Sequence, residues 1–442
     1  MRVLLVGSGG REHALAWSIA QAEGHVELFY AGAPNAGLDA LCSRRLPLDD
    51  SAEALAGLAQ DLEVGLVVVG PEAPLVAGVA DAIRAVGIPV FGPGAAAAQL
   101  EGSKAFAKAF MARHGVPTAA YHVFEDGHSA KAFVRESAQP WVVKADGLAG
   151  GKGVFVAEDV AETLAALDEI FTDGRFGAAG ARVVLEERLV GEEVSYHVLF
   201  DGARSVPLAL AQDHKRLFDG DAGPNTGGMG AYSPVSHLAS DLEQEIDGKV
   251  LAPTLAGLAA DALEFRGVLF IGLMLCADGP KVLEYNVRFG DPETEVILPR
   301  LSGSVLPALW ATANGELASL ELKWAYPAAL TVVLASGSYP GSGTSGGDAP
   351  MPRVEGIQSI DWSREARGRE ALVFTSGARK DALSDQLVAS GGRVFAVTGV
   401  GRTIAEARER AYLRADKVKF AGKQWRSDIG SRAGLAPWIR PE

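Results

Sequence analysis

The stretch that decides the fold runs from residue 141 to residue 157 and reads WVVKADGLAGGKGVFVA. It holds two apolar runs suited to β-strands, 141–145 and 154–157, joined by a connection with four glycines in seven residues. Neither the spacing nor the residue after Lys152 fits a Walker loop. The pattern predicts instead a flexible hairpin that folds over a triphosphate while Lys144, on the first strand, reaches the phosphate oxygens. A plain β-hairpin without a ligand is the alternative interpretation. It is less favoured, because four glycines in a simple connection between two strands cost conformational entropy.

A second lysine and a group of acids extend the candidate nucleotide site. Lys104 follows Gly102 and Ser103 and is a second candidate phosphate ligand, although alone it is better interpreted as a surface lysine at a helix start. Glu186 and Glu193 flank Leu189 after a predicted strand. Carboxylates there can accept hydrogen bonds from an adenine amino group and from ribose hydroxyls. An ordinary acidic surface is the alternative, and only the upstream hairpin favours binding.

A metal site is predicted in the strand at 281–287. Side chains alternate along a strand, so Glu284 and Asn286 point the same way. One carboxylate and one amide oxygen side by side suit Mg²⁺, which completes its shell with phosphates and water. Arg288 follows on the same face and offers a bidentate fork to a carboxylate or phosphate. A solvated strand face is the alternative, but the run RFGDPE at 288–293 favours a functional site.

The first part of the chain has the pattern of an α/β domain. An apolar run at 3–6 precedes a glycine turn and a helical pattern, and further apolar runs at 66–69 and 88–91 end in Gly-Pro pairs. Buried parallel strands have such continuous apolar sequences. An open parallel-sheet domain is therefore predicted over 1–102.

Two features of this domain are candidates for ligand binding. The first glycine turn reads GSGGRE at 7–12, with Glu12 where a dinucleotide fingerprint needs its third glycine, so NAD binding is disfavoured. A helix N-terminus beside Arg11 suits a phosphate or carboxylate, and tight strand–helix packing is an equally good interpretation. Glu72 directly follows a strand end, where ligands of open α/β sheets bind, although solvated loop acids are common.

The rest of the chain is predicted to form a central domain over 103–326, with a small mobile lid at about 121–188, and a small α+β domain over 327–442. The glycine-rich stretch 219–230 is too long for a simple turn and indicates a functional loop. Gly343-Thr344-Ser345-Gly346-Gly347 matches the spacing of a serine-hydrolase elbow, but it lies in a Gly/Ser loop without the strand–turn–helix context and is interpreted as a chance match.

Composition excludes several classes of protein. The net charge of −14 argues against binding to nucleic acid or anionic membranes, which needs a positive surface. Two distant cysteines make neither a disulfide scaffold nor a zinc site. No stretch reaches the length of apolar residues that a membrane span needs. We expect a cytoplasmic enzyme, a monomer or weak oligomer, with small-molecule partners.

Taken together, these residues resemble the phosphoribosylamine–glycine ligase (glycinamide ribonucleotide synthetase) family of ATP-grasp enzymes. The resemblance extends from residue 1 to about 430 in one register, and the run DHKR at 213–216 followed by PNTGGMG at 224–230 is highly specific. The stretches that carry it are 9–14, 70–75, 99–104, 144–153, 212–216, 223–234 and 288–294. The resemblance implies ATP-dependent joining of glycine to 5-phospho-β-D-ribosylamine through a glycyl phosphate, an early step of purine synthesis.

The resemblance also implies roles for individual residues. Lys104 and Lys144 would bind the ATP phosphates beneath a flap formed by Gly150, Gly151, Lys152 and Gly153. Adenine would meet Glu186 and Leu189, and the ribose would meet Glu193. Mg²⁺, or Mn²⁺, would be held by Glu284 and Asn286.

The remaining implied roles concern the other two substrates. Arg288 and Asp213 would face the glycine and the acyl phosphate, and with Lys144 they are the expected catalytic residues. Gly9, Gly10 and Glu72 would contact the phosphate and sugar of the ribosylamine.

Two departures from the family pattern limit these expectations. Glu295 stands where the family usually has Gln, so we expect its side chain to face solvent or to bond to a donor. The strand at 272–275 reads GLML, without the acid that many ATP-grasp enzymes use as a metal ligand, so a second ion would be held mainly by phosphates. Another ATP-grasp ligase or carboxylase of purine synthesis and a non-catalytic nucleotide sensor are the alternatives.

Overall fold

A computed structural model of the chain describes residues 1–48, 51–236, 238, 241–341, 351–358, 362 and 370–434. The predicted elbow match at 343–347 lies outside these residues. None of the helices in the described ranges combines the length and the hydrophobicity that a bilayer span requires.

Five strands of the first hundred residues form a parallel sheet: β1 (Arg2–Val6), β2 (Glu27–Ala31), β3 (Arg44–Leu46), β4 (Leu66–Val69) and β5 (Val90–Phe91). Their order is β3-β2-β1-β4-β5, which confirms the predicted open parallel sheet. The helices that accompany them are α1 (Gly10–Ile19), α2 (Ala36–Leu41), α3 (Ala52–Asp61), α4 (Glu72–Val76), α5 (Val79–Ala85), α6 (Ala95–Gly102) and α7 (Lys104–His114). Because β1 and β4 are neighbours, the turns that follow them lie at the same edge of the sheet.

The hairpin that carries Lys144 belongs to a small antiparallel sheet. Its strands are β6 (Tyr121–Phe124), β7 (Val142–Ala145), β8 (Val154–Val156) and β9 (Val183–Glu186), in the order β6-β9-β7-β8. Two helices cover it, α8 (Gly127–Ser137) and α9 (Val160–Phe171). Side chains from these elements, among them Val134, Trp141 and Leu167, form an apolar cluster separate from the other cores. A unit with its own core can keep its structure if it moves.

The central sheet is antiparallel and consists of β10 (Glu192–Phe200), β11 (Ser205–Pro207), β16 (Gly267–Cys276) and β17 (Gly279–Asn286), in the order β11-β10-β16-β17. Glu284 on β17 pairs with Gly272 on β16, and Asn286 pairs with Phe270. The helices of this region are α10 (Leu242–Ile246), α11 (Ala252–Ala260), α12 (Thr294–Ile297) and α13 (Leu306–Asn314).

The last sheet draws strands from both sides of residue 327. Its order is Gln212–Asp213 (β12), Gly230–Ser233 (β15), Ala328–Ala335 (β18), Arg393–Gly401 (β22) and Ala371–Thr375 (β19), and α14 (Ile404–Lys417) packs on it. Two hairpins complete the structure, β13 (Arg216–Phe218) with β14 (Ala222–Asn225) and β20 (Ala378–Lys380) with β21 (Leu387–Ala389). Most of the glycine-rich stretch 219–230 is thus a β-hairpin and the start of a sheet strand.

The position of Glu295 contradicts the expectation from sequence. Its side chain is 0% exposed, and neither carboxylate oxygen has a hydrogen-bond partner among the described residues. Burial, and next the charge of Asp291, raise the pKa of Glu295 well above its usual range. Arg393 acts in the opposite direction, but its Nη1 is paired with Asp291 Oδ1 at 2.8 Å. The expectation was wrong because α12 is buried at every position between α1 and the last sheet, which no local pattern indicates.

We predict that Glu295→Gln raises the free energy of unfolding and that the gain increases with pH. The unfolded carboxyl group ionises near about pH 4.3, whereas the folded one keeps its proton to higher pH. Wild-type stability is therefore complete at low pH and falls as the pH rises towards the folded pKa, by at most about 1.4 kcal/mol per pH unit. Chemical unfolding of both proteins between about pH 5 and about pH 8 measures this difference.

The matched control is Glu409→Gln on the exposed side of α14, which we expect to leave the pH dependence of unfolding unchanged. Stability curves of wild type and Glu295→Gln that run parallel across this range would contradict the assignment of a protonated Glu295.

Candidate active site

Arg288 connects the central sheet to the N-terminal sheet domain. It follows β17, and its Nη2 lies 2.8 Å from Glu101 Oε1 at the end of α6 while its Nε lies 3.3 Å from Glu72 Oε2 at the start of α4. Nη2 also donates to Asn286 Oδ1 at 3.0 Å. The structure thus brings three predicted site residues, Glu72, Asn286 and Arg288, into one hydrogen-bonded group.

The pKa values of the two acids that hold Arg288 are shifted in opposite directions. Burial raises the pKa of Glu101 in spite of the neighbouring guanidinium. Burial also opposes ionisation of Glu72, but the charges of Arg288 and Arg11 outweigh it and lower the pKa of Glu72. Arg288 is therefore held in one orientation by a carboxylate on a strand end and by a second, more deeply buried acid.

Lys144 and Glu186 lie together on the small sheet. Lys144 Nζ donates to Leu283 O on β17 at 3.1 Å, which joins the two sheets. The same Nζ forms an ion pair with Glu186 Oε1 at 2.8 Å, and this buried oxygen has no hydrogen-bond partner among the described residues. Leu189, three residues beyond, is half-buried.

Lys104 stands at the first position of α7, and its Nζ donates to Gly147 O at 3.4 Å, at the base of the glycine connection. Burial lowers the pKa of Lys104. The connection itself is open to solvent: Gly150 and Gly151 are exposed, with φ of +57° and +73°, and Lys152 is exposed beside them. Gly153 O accepts from Ala145 N at 2.8 Å, which closes the hairpin.

Glu284 is the acidic centre of a ring of positive charges. Burial disfavours its anion, but the surrounding charges outweigh burial and lower the pKa of Glu284. These charges come from Lys215, Lys144, Lys104 and Arg288. Three of these cations also pair with other acids, Lys144 with Glu186, Lys215 with Glu193 and Arg288 with Glu72 and Glu101, so the site holds cations and acids side by side. Such a mixed site suits a polyphosphate together with a divalent cation.

The pair Glu284 and Asn286 fits a hard cation. Both lie on one face of β17. Asn286 Oδ1 accepts a hydrogen bond from Arg288 Nη2, while Nδ2 is buried without a hydrogen-bond partner among the described residues, so exchanging the two amide positions would present the oxygen to a cation. No group of three or more His, Cys, Asp or Glu residues in the described parts of the chain could hold a metal alone. A cation here would need phosphate or water oxygens to complete its shell.

A second acidic group lies next to this centre. Glu193 Oε2 is 2.8 Å from Lys215 Nζ, and this charge lowers the pKa of Glu193. Asp213 is buried, and burial raises its pKa. Glu293, which accepts a hydrogen bond from Ser195 Oγ at 2.8 Å, has its pKa raised to about 7 by burial and by Asp213.

The N-terminus of α1 faces the Arg288 junction. Gly9 N donates to Glu12 Oε2 at 2.5 Å, and Glu12 Oε1 accepts from Arg11 Nε at 2.6 Å. Arg11 Nη1 and Arg288 Nη1 both donate to Phe289 O, each at 3.1 Å. A Cβ at Gly10 would meet Ser376 Oγ and, at 2.6 Å, Glu295 Oε1, so a side chain there would require both neighbours to shift.

Sequence reasoning missed three residues of this site, Glu101, Lys215 and Glu293, and a fourth that lies beside it and pairs with Glu186, Lys108. Three of them lie inside stretches that carried the family resemblance, at 99–104, 212–216 and 288–294, but no local pattern distinguished them there. Lys108 is four residues after Lys104, a spacing that puts both lysines on one face of a helix and could have indicated it.

Three family models match the chain in succession. They are the N domain of phosphoribosylglycinamide synthetase over residues 1–101, its ATP-grasp (A) domain over 102–294 and its C domain over 329–432.

Individual proteins agree with these models. A phosphoribosylamine–glycine ligase from Agrobacterium fabrum is 50% identical over 435 residues, which cover 98% of this chain and 99% of that protein. The crystal structure of a phosphoribosylamine–glycine ligase from Thermotoga maritima is 34% identical, with a TM-score of 0.81 over 97% of this chain and 100% of that one. The biotin carboxylase domain of the Hydrogenobacter thermophilus 2-oxoglutarate carboxylase, solved with magnesium ADP and bicarbonate, shares only the fold, at 16% identity and a TM-score of 0.71 over 99% of this chain and 96% of that one.

These matches confirm the resemblance predicted from the sequence, and the geometry above lies within the matched regions. The chain belongs to the phosphoribosylglycinamide synthetase family, and Lys144 and Glu284 lie in its ATP-grasp domain.

Proposed function

We propose that this protein joins glycine to phosphoribosylamine with the use of ATP, giving glycinamide ribonucleotide, ADP and phosphate in purine biosynthesis. Family membership over the whole chain supports this reaction. The observation that carries it is the Arg288 junction, in which one guanidinium touches Glu72 of the N-terminal domain and Asn286 beside the ring of cations. A contact of this kind can hold the site for the amine substrate next to the site for the nucleotide and glycine.

The chemistry requires activation of the glycine carboxylate, because a carboxylate oxygen does not leave by itself. Transfer of the γ-phosphoryl group to that oxygen gives a glycyl phosphate. The ribosylamine nitrogen then attacks the carbonyl carbon, the bond to the phosphorylated oxygen breaks, and phosphate leaves while the nitrogen loses a proton. No nucleophile of the protein is needed, and the protein's task is to position the reactants and stabilise negative charge.

The nucleotide would bind between the small sheet and the central sheet. Lys104 and Lys144 would hold the phosphates, with Gly150, Gly151, Lys152 and Gly153 folding over them. Adenine would meet Glu186 and Leu189, and the ribose would meet Glu193. The small sheet with residues 121–188 would act as the lid, which its separate core and its exposed glycines support.

Glu284 and Asn286 would hold Mg²⁺ or Mn²⁺. The lowered pKa of Glu284 keeps that carboxylate ionised, as a metal ligand must be. A bound divalent cation would neutralise charge on the transferred phosphoryl group.

The amine substrate would bind on the other side of Arg288. Gly9 and Gly10 at the start of α1 and Glu72 at the start of α4 would contact its phosphate and sugar. Arg288 and Asp213 would face the glycine and the acyl phosphate. We also expect a monomer or weak oligomer in the cytoplasm.

An ADP-release assay tests the function. Release that requires both glycine and phosphoribosylamine supports it. Turnover with another carboxylate or amine would favour a different ATP-grasp ligase, and ATP binding without any turnover would favour a nucleotide sensor.

We predict that Arg288→Lys lowers the rate of glycine-dependent ADP release by about 30- to 1000-fold, or roughly 2–4 kcal/mol of transition-state stabilisation. Lysine keeps the charge but cannot contact Glu101, Asn286 and an oxyanion with one planar group. ATP affinity should change much less. Arg113→Lys, an exposed pair with Asp261, is the matched control. Normal turnover, or ATP binding lost in proportion to turnover, would reject this role.

We predict that Glu284→Gln and Asn286→Ala lose most turnover and need a higher Mg²⁺ concentration, while both proteins stay folded. The reason is that the first change removes the carboxylate charge and the second removes the amide oxygen that this face of β17 offers to a cation. A titration of activity with Mg²⁺, with circular dichroism as the check of folding, measures it. Asp278→Asn, on the exposed turn of the same hairpin, should behave as wild type. Near wild-type rates at low Mg²⁺ in both variants would disprove the metal assignment.

A further inference from the structure

Lys108 of α7 is a buried cation without a role in the site described so far. Its side chain is 1% exposed, which is rare for lysine. Its Nζ lies 2.9 Å from Glu186 Oε2 and donates to Thr118 Oγ1 at 2.7 Å. Thr118 Oγ1 in turn donates to Val282 O on β17 at 2.6 Å. Lys108 is thus fixed from both sides, by the small sheet and by the central sheet.

Glu186 is shared between two lysines. Glu186 Oε2 forms an ion pair with Lys108 Nζ at 2.9 Å, and Oε1 forms an ion pair with Lys144 Nζ at 2.8 Å. Oε1 has no hydrogen-bond partner among the described residues. The carboxylate therefore presents a buried acceptor beside a donor. Adenine carries the complementary pair on one edge, the N6 amino group as donor and N7 as acceptor. Guanine has acceptors at both places, N7 and O6, so its O6 would face a carboxylate.

This arrangement depends on Lys108. A buried carboxylate that loses one of its cations takes up a proton or turns to the cation that is left. If Glu186 turned both oxygens to Lys144, the acceptor beside the donor would be lost. The charged groups that face Lys108 are Glu186 on β9 and Lys144 on β7, and the ring of Tyr121 on β6 lies 5.8 Å away.

We propose that Lys108 is a positioning residue for nucleotide selection: it fixes Glu186 so that Oε1 accepts a hydrogen bond from the adenine amino group and rejects guanine. The inference rests on the use of ATP in the proposed function and adds the residue that makes the site select adenine. Lys108 itself contacts neither the base nor the phosphates.

The charge of Lys108 gives the selection a pH dependence that mere packing would not have. Burial lowers the pKa of Lys108 to about 8, although Glu186 acts in the opposite direction. As the pH rises through this value, Lys108 loses its charge and Glu186 loses its fixed orientation. ATP affinity should fall between about pH 7 and about pH 9, a range in which the phosphates of ATP do not titrate.

Calorimetric titration with ATP and with GTP tests the proposal without using the ligation reaction. In Lys108→Met we expect the Kd for ATP to rise about 10- to 100-fold, the value of a charge-assisted hydrogen bond, and the preference for ATP over GTP to shrink by a similar factor. The Kd for ATP should rise with pH more steeply in wild type than in Lys108→Met, in which only other groups such as Lys104 still titrate. Lys249→Met, an exposed pair with Glu245, is the matched control.

Thr118→Val removes the hydroxyl that anchors Lys108 and keeps the shape, so it should shift the ATP preference in the same direction by about 3- to 10-fold. If Lys108→Met does not fold, the ATP and GTP affinities of Thr118→Val test the proposal in its place. An unchanged ratio of ATP to GTP affinity in the folded variant, or the same pH dependence of ATP binding as wild type, would overturn the proposal. Loss of ligation with normal selection for ATP would instead count against the proposed function alone.

Discussion

The contact between Arg288 and the two acids Glu72 and Glu101 is the interaction on which the rest of the site depends. Arg288 follows the strand that carries Glu284, and the acids begin and end helices of the N-terminal sheet domain. A guanidinium offers a planar fork of donors that can meet more than one acceptor at fixed angles. This one group therefore ties the edge of the parallel sheet to the end of the central strand β17.

The distribution of charge explains why the site is built from several separate elements. A triphosphate, a carboxylate and a sugar phosphate repel each other, and a single strand or helix cannot supply enough cations without repelling itself. Here Lys104, Lys144, Lys215 and Arg288 come from different parts of the chain and share Glu284 as their common counter-charge. The same principle recurs at Glu186, where two lysines from different elements balance one buried carboxylate. Each acid keeps its neighbouring cations in place until a substrate takes over that role.

The sequence predicted the elements and side-chain positions that depend on a local pattern. It did not predict those that depend on contacts between segments distant in the chain. The parallel sheet, the hairpin around Lys144 and the shared face of Glu284 and Asn286 follow from apolar runs, glycines and alternation. Glu101 could not be assigned, because its partner Arg288 lies far away in the chain, whereas the four-residue spacing from Lys104 could have indicated Lys108. The last sheet was not anticipated in full, since β12 and β15 have only two and four residues and no distinctive pattern. Glu295 was misplaced because burial of α12 by α1 and by three strands of the last sheet, β15, β18 and β22, leaves no trace in the local sequence.

The central claim is that the protein activates the glycine carboxylate by phosphorylation and then ligates it. Glycine labelled with ¹⁸O in its carboxylate tests this directly, because the oxygen that receives the phosphoryl group leaves with it. The account predicts that each turnover with ATP and phosphoribosylamine places one labelled oxygen in inorganic phosphate, as measured by mass spectrometry. Phosphate free of label, with the oxygen that the carboxylate loses recovered in water instead, would contradict it.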